Sequence, residues 1–199
     1  MYLAAIGDIL SNSAALHELL EHLDEEGIQE RVHTGNICLA PEGARECVEQ
    51  LRLSSIQAVQ GRLDRALVSR RPQAKRLPEG PLLEKSFATL GCADIEYLAR
   101  LPRKRSFIRE GIEWLLCHGS VNSPSQILTG ETSLMKFQRQ REESTAQIII
   151  TGGAAEAFSV DIEGTLFVSP GPLLNQEGKI RYTLINTEVV PFDTRIILL

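Results

Sequence analysis

Residues 147–158 read QIIITGGAAEAF. Three successive isoleucines suit a short strand buried on both faces, and the glycine pair 152–153 lets the chain turn sharply where that strand ends. In open α/β sheets the carboxyl ends of strands are where ligands gather. Yet the loop goes on to Ala154 and Ala155, which carry no atom able to bind or react. A well-placed loop with inert side chains needs the rest of the chain to explain it.

Upstream, YLAAIG (2–7) is another apolar run closed by glycine and reads as a buried strand. Leu16, Leu19, Leu20 and Leu23 then recur on one face of an amphipathic helix that ends at Gly27. RVHTGN (31–36) is a second strand, and Ala44, Cys47, Val48 and Leu51 repeat the helical spacing after Pro41. IQAVQG (56–61) is a third strand. Strand, helix, strand, helix, strand with short loops implies parallel pairing through right-handed crossovers.

The second half has a different period. Arg62 to Pro81 is basic and proline-rich, and reads as a loop-rich or partly helical excursion. ADIEYLARLP (93–102) is a short helix stopped by Pro102. Strand pairs are expected around Glu110-Gly111 and Glu163-Gly164, with a polar helix over about 130–144 and a closing antiparallel pair in IRYTLINTEVVPF (180–192). The expected fold is α/β: a two-sheet β-sandwich flanked by helices, four layers αββα, with a βαβαβ start and a hairpin-rich second half. A single domain over 1–199 accommodates it.

The loops at the strand ends run GDILSN, TGNICLAP, QGRLDR, CHGSV, TGGAA and SPGPL, in that order. Together they make the chain resemble the calcineurin-like metallophosphoesterases, in particular their small bacterial and archaeal phosphodiesterase branch. Members of that family carry Asp-x-His, Gly-Asp, Gly-Asn-His-Asp, His-Gly, Gly-His-x-His and Asn-Pro-Gly at these points. The resemblance spans nearly the whole chain, including ARECVEQLR (44–52) on the second helix.

The resemblance implies two divalent cations about 3.5–4 Å apart that orient a phosphoester and supply a hydroxide. Carried over position by position, Asp8 keeps a ligand of the first metal and His118 a ligand of the second. Leu10 and Ala155 bring no donor to the first metal, and Gly153 removes a ligand of the second. Asn36 stands at the bridging carboxylate, and Leu63 at the histidine expected to protonate the leaving group. Arg62 replaces a metal-ligating asparagine with five donors, no acceptor and a fixed positive charge. A unit charge and a dication about 4 Å apart repel by roughly 8 kcal/mol at an effective dielectric of 20.

The expectation is therefore a non-catalytic binding protein with no metal cofactor. Asp8, Asn36, Arg62 and His118 are the remnant site, facing an anionic small ligand or a protein partner, with Asp8 a candidate ion-pair partner of Arg62. The alternative is a residual phosphatase or phosphodiesterase using manganese or another divalent metal, held weakly by Asp8, Asn36 and His118. Ser120 lacks a nucleophile elbow. His17, His22 and His33 read as surface or edge histidines, and the four scattered cysteines as free thiols in a reducing compartment. A net charge of −5 and a basic stretch without aromatics disfavour nucleic acid. The apolar runs are too short to span a bilayer, and the N-terminus lacks a basic leader, so a cytoplasmic location is expected. The apolar RIILL (195–199) suggests an added edge strand or self-association into a homo-oligomer.

Overall fold

The computed structural model describes residues 1–54, 56–69 and 77–199. Two five-stranded mixed sheets pack face to face. In the first, β1 (Tyr2–Ile6), β2 (Glu30–His33) and β3 (Gln57–Ala58) are parallel, and β9 (Arg181–Asn186) and β10 (Asp193–Leu198) add antiparallel on the β1 side. In the second, β5 (Ile112–Cys117), β6 (Ile148–Ile150) and β8 (Thr165–Ser169) are parallel. They are flanked by antiparallel β4 (Lys104–Arg109) and β7 (Phe158–Ile162).

Alternation along the strands builds three cores. Leu3, Ala5, Val32 and Ile185 meet Trp114, Leu116, Ile148 and Ile150 between the sheets. Ala4 and Ile6 point the other way, toward α1 (Ser13–Glu25), α2 (Ala44–Leu53), α3 (Arg62–Ser69), α4 (Gly80–Thr89) and α5 (Cys92–Arg100). The leucine spacing read on α1 is the reason it folds here: Leu16, Leu19 and Leu23 are fully buried. Each such side chain contributes about 1.5–3 kcal/mol from burial. The second sheet's outer face is covered by α6 (Leu134–Glu142), whose Phe137 meets Phe167 edge-on at 5.0 Å.

The expected architecture is thus observed. The stretch read as loop-rich or partly helical contains α3 and the start of α4, which has Pro81 near its N-terminus, where a missing N–H costs nothing. Two local details differ. The closing antiparallel pair forms, but its second strand begins at Asp193, so the RIILL segment is β10, an edge strand. His33 is fully buried and not at the surface. Its Nδ1 accepts the Gly35 N–H, which leaves the proton on Nε2 to be donated to the Gly7 carbonyl. Arg70, Arg71, Lys75 and Arg76 of the basic stretch lie outside the described residues.

Candidate functional site

All six loops meet at one end of the sandwich. A side chain on Gly7 would overlap the Gly171 carbonyl, so the loops after β1 and β8 touch backbone to backbone. Asp64, on the first turn of α3, ties the loops after β2 and β3 together. Its fully buried carboxylate accepts the N–H groups of Asn36 and Ile37, both at 2.8 Å, and of Gly61 at 2.9 Å. Burial pushes this carboxyl above its ordinary range, against the pull of the Gly61, Ile37 and Cys38 amides. The G-x-x-D spacing was its signal in the sequence.

Held by Asp64, Asn36 adopts a left-handed backbone (φ 59) and directs its amide into the site. The amide's orientation is decided by its neighbours. Its Oδ1 accepts the Leu63 N–H at 2.9 Å, so the Nδ2 end faces outward and donates to Asp8 Oδ2 at 2.8 Å. Leu10 and Ser11, just beyond Asp8, are also left-handed, with φ 54 and 70. Such conformations are costly for side chains other than Asn, Asp and Gly and concentrate at functional loops.

The other Asp8 oxygen, Oδ1, is buried and makes no hydrogen bond among the described residues. Burial drives the Asp8 carboxyl up to about 6, against the pull of the Asn36 amide, the Gly153 N–H and the charge of Arg62. Arg62 itself turns to Glu79, with Nη2 to Oε1 at 2.7 Å. Of the roles open to Asp8, the ion pair with Arg62 does not form among the described residues: Asp8 pairs with Asn36, and Arg62 with Glu79. The guanidinium holds the Glu79 carboxyl below its usual value, while Glu79 Oε2 is left without a donor among the described residues.

His118, on the far side, is 1% exposed. Its Nδ1 lies 2.8 Å from the Thr34 carbonyl, and since a carbonyl only accepts, Nδ1 carries the proton. Burial keeps the ring neutral by lowering its pKa. Nε2 is therefore a lone pair. A Cβ placed on Gly153 would stand 3.2 Å from it, and 2.5 Å from Ile127 Cδ1. The space beside Gly153, where the resemblance puts a histidine, is filled by the isoleucine. Ala154 is buried and Ala155 exposed, and the loop is anchored by the nearly buried Arg181, which donates to the Ala155 carbonyl at 3.2 Å and pairs with Glu156 at 3.0 Å.

The structure thus brings Asp8, Asn36, Arg62 and His118 to one end of the fold. Glu79, Ile127 and Arg181 were not singled out as site residues from the sequence, and for Ile127 no signal existed. Among the described residues no three His, Cys, Asp or Glu side chains come together as a metal-holding group, and no helix is long and apolar enough to cross a membrane.

No curated protein matches the chain. Solved structures do. A hypothetical protein from Pyrococcus horikoshii aligns with TM-score 0.83 at 21% identity, covering 100% of this chain and 87% of that one. A metallophosphoesterase from Sphaerobacter thermophilus aligns with TM-score 0.75 at 18% identity, covering 100% and 88%. Vacuolar protein sorting 29 from Cryptosporidium parvum aligns with TM-score 0.59 at 15% identity, covering 100% and 97%. At these identities the likeness establishes the fold. Residues 1–190 match the family model of the calcineurin-like phosphoesterase superfamily domain, and the chain belongs to that superfamily.

Proposed function

We propose that this chain works by binding a ligand or partner at its loop cluster and does not hydrolyse phosphoesters. The observation that carries the reading is the Asn36 amide. A dinuclear centre needs a bridging carboxylate to offset the repulsion of two cations, with imidazole and oxygen ligands on either side. The position of that bridge presents an N–H₂ to the site, while its one ligating oxygen is taken by the Leu63 N–H. Leu10 and Ala155 have no donor atoms, and Ile127 occupies the space beside Gly153. On this reading the residues do not fit a pair of metal ions, and no hydrolytic step is routed through one.

What is left is a preorganised polar surface. Asp64 and the left-handed residues hold its backbone, and Asp8, Asn36, Arg62 and His118 furnish its groups. Function resides in the site carried by a fold, and a fold keeps its frame when the site changes. The test is metal content together with turnover. Protein incubated with excess Mn²⁺ and freed of unbound metal is expected to retain well under one ion per chain and to leave bis(p-nitrophenyl) phosphate intact. Stoichiometric metal with turnover abolished by Asp8→Ala would establish a surviving phosphodiesterase instead.

A further inference from the structure

The outer strands of the two sheets differ in how they are guarded. β3 is only two residues long. β4 carries Lys104, Arg105 and Arg109, and β7 carries Asp161, charges of the kind that keep an edge from pairing. β10 runs for six residues without Pro or Lys, and its two charges, Asp193 and Arg195, pair with each other at 3.1 Å. Among the described residues its one strand neighbour is β9. The Leu199 N–H bonds back to the Ile180 carbonyl, so the N–H and C=O groups of Leu199, Ile197 and Arg195 point to β9. By alternation, those of Thr194, Ile196 and Leu198 point outward. Two of these residues also expose apolar side chains, Ile196 by 52% and Leu198 by 47%. The strand is already fixed in place. Ile197 packs against the helix-side core next to Tyr182, and the Thr194 hydroxyl donates to Ser159 Oγ on β7 at 2.7 Å. Pairing at this edge therefore costs little ordering entropy.

We propose that β10 docks a second copy of this chain, antiparallel across a two-fold axis, so that the first sheets of both copies become continuous. The strand is complementary to itself. With the axis at Ile196, Thr194 of each copy faces Leu198 of the other and the two Ile196 residues face one another. Every outward N–H then meets an outward C=O, and the exposed isoleucines cover each other. On the opposite face Arg195 is set against Ile197 and Asp193 against Leu199, so no like charges are directly opposed. Moving the axis to Arg195 would set two guanidiniums face to face, which is destabilising. Moving it to Ile197 would leave Thr194 outside the pairing. This fit of the strand's charges and side chains to its own reverse favours a second copy over a foreign strand. Each copy has one such edge, so the assembly closes at a dimer. The loop cluster takes no part, and the proposal does not rest on how that cluster is read.

The experiment is sedimentation velocity of the full chain, from about 5 to 500 μM, because an edge contact is smaller than the roughly 1,200–2,000 Å² of stable complexes. A reversible monomer–dimer equilibrium is expected, weakened at least about tenfold in Ile196→Lys, which adds the charge this edge lacks. Hydrogen exchange at the two ends of the range gives a second readout on the unsubstituted protein. The Thr194, Ile196 and Leu198 amides are expected to be protected only at the high concentration. The register is read by oxidation of Ile196→Cys with the exposed Cys92 changed to serine. Facing residues of a hydrogen-bonded pair stand about 5.5 Å apart at Cα, within reach of a disulfide, so this variant should cross-link and Thr194→Cys should not. A monomer throughout would leave the edge to a strand from another protein and overturn the proposal. So would a dimer that Ile196→Lys leaves intact, amides that stay unprotected in the dimer, or assemblies larger than two. Cross-linking through Thr194→Cys and not through Ile196→Cys would overturn it as well. The exchange readout keeps the proposal testable even where Ile196→Lys folds poorly.

Discussion

The Asn36 side chain donates to Asp8 Oδ2 at 2.8 Å, and it does so because its own oxygen is held by the Leu63 N–H. The pair ties the loop after β1 to the loop after β2 through a hydrogen bond to a carboxylate, the stronger kind. Asn36→Asp keeps the acceptor for Leu63 but sets a second carboxylate against the first. The expected cost is about 2–4 kcal/mol at pH 7.5, read from urea denaturation. Recovery of that loss by millimolar Mn²⁺ would mean that a metal site needs only this one change.

Asp8 adds a dependence on pH of its own. Its carboxyl rises from 3.8 to about 6 on folding, chiefly by burial. Between those values the folded chain holds a proton that the unfolded chain has lost, so Asp8 makes stability fall as pH rises through about 6. The whole effect is about 3 kcal/mol, at 1.36 kcal/mol per unit. Asp8→Asn removes the slope, so the stability of the variant relative to the parent should increase between pH 4.5 and 7.5. A constant difference would contradict the assignment of the shift to burial.

His33 acts in the opposite sense. Burial lowers its pKa from 6.5 to about 3, with the Gly7 carbonyl pulling the other way. The neutral ring's contribution is fully present above pH 6.5 and is lost as pH falls, by about 1.4 kcal/mol per unit, until the ring itself is protonated. His33→Gln is expected to flatten this acid limb while losing about 1–2 kcal/mol at pH 7.5 from its two hydrogen bonds. Denaturant midpoints from pH 4 to 8 check it.

Glu79→Gln separates charge from stability. The Arg62–Glu79 pair is partly exposed, so its loss should change stability by less than about 1 kcal/mol. Urea denaturation midpoints of variant and parent check it, and a loss well above that value would contradict a partly exposed pair.

Gly153 tests the packing of the loop. At φ +76 an L side chain is strained, and its Cβ would stand 2.5 Å from Ile127 Cδ1. Gly153→Ala should cost at least about 1–2 kcal/mol in thermal or urea unfolding. Gly153→His should be worse unless combined with Ile127→Ala.

Much of the fold could be read because its signals are local. Apolar runs such as residues 2–6 and 148–150 end in glycine or a glycine pair, and the leucine spacing of α1 names its own buried face. Helix α4 was obscured by the prolines and charges around it, and the burial of His33 depends on backbone partners at Gly7 and Gly35 that no spacing reveals. In the site, side chains that lack donors, Leu10 and Ala155, could be recognised directly. The direction of the Asn36 amide could not, since one backbone N–H at Leu63 decides it. Nor could the partner of Arg62, which lies seventeen positions on, just before α4.

The most direct measurement is calorimetric titration of the full chain with Mn²⁺ at pH 7.5, read beside phosphodiester turnover in the same sample. A binding protein without a dinuclear centre should give no saturable heat in the micromolar range and no turnover. Two Mn²⁺ ions bound per chain, with hydrolysis that disappears in Asp8→Ala, would contradict it.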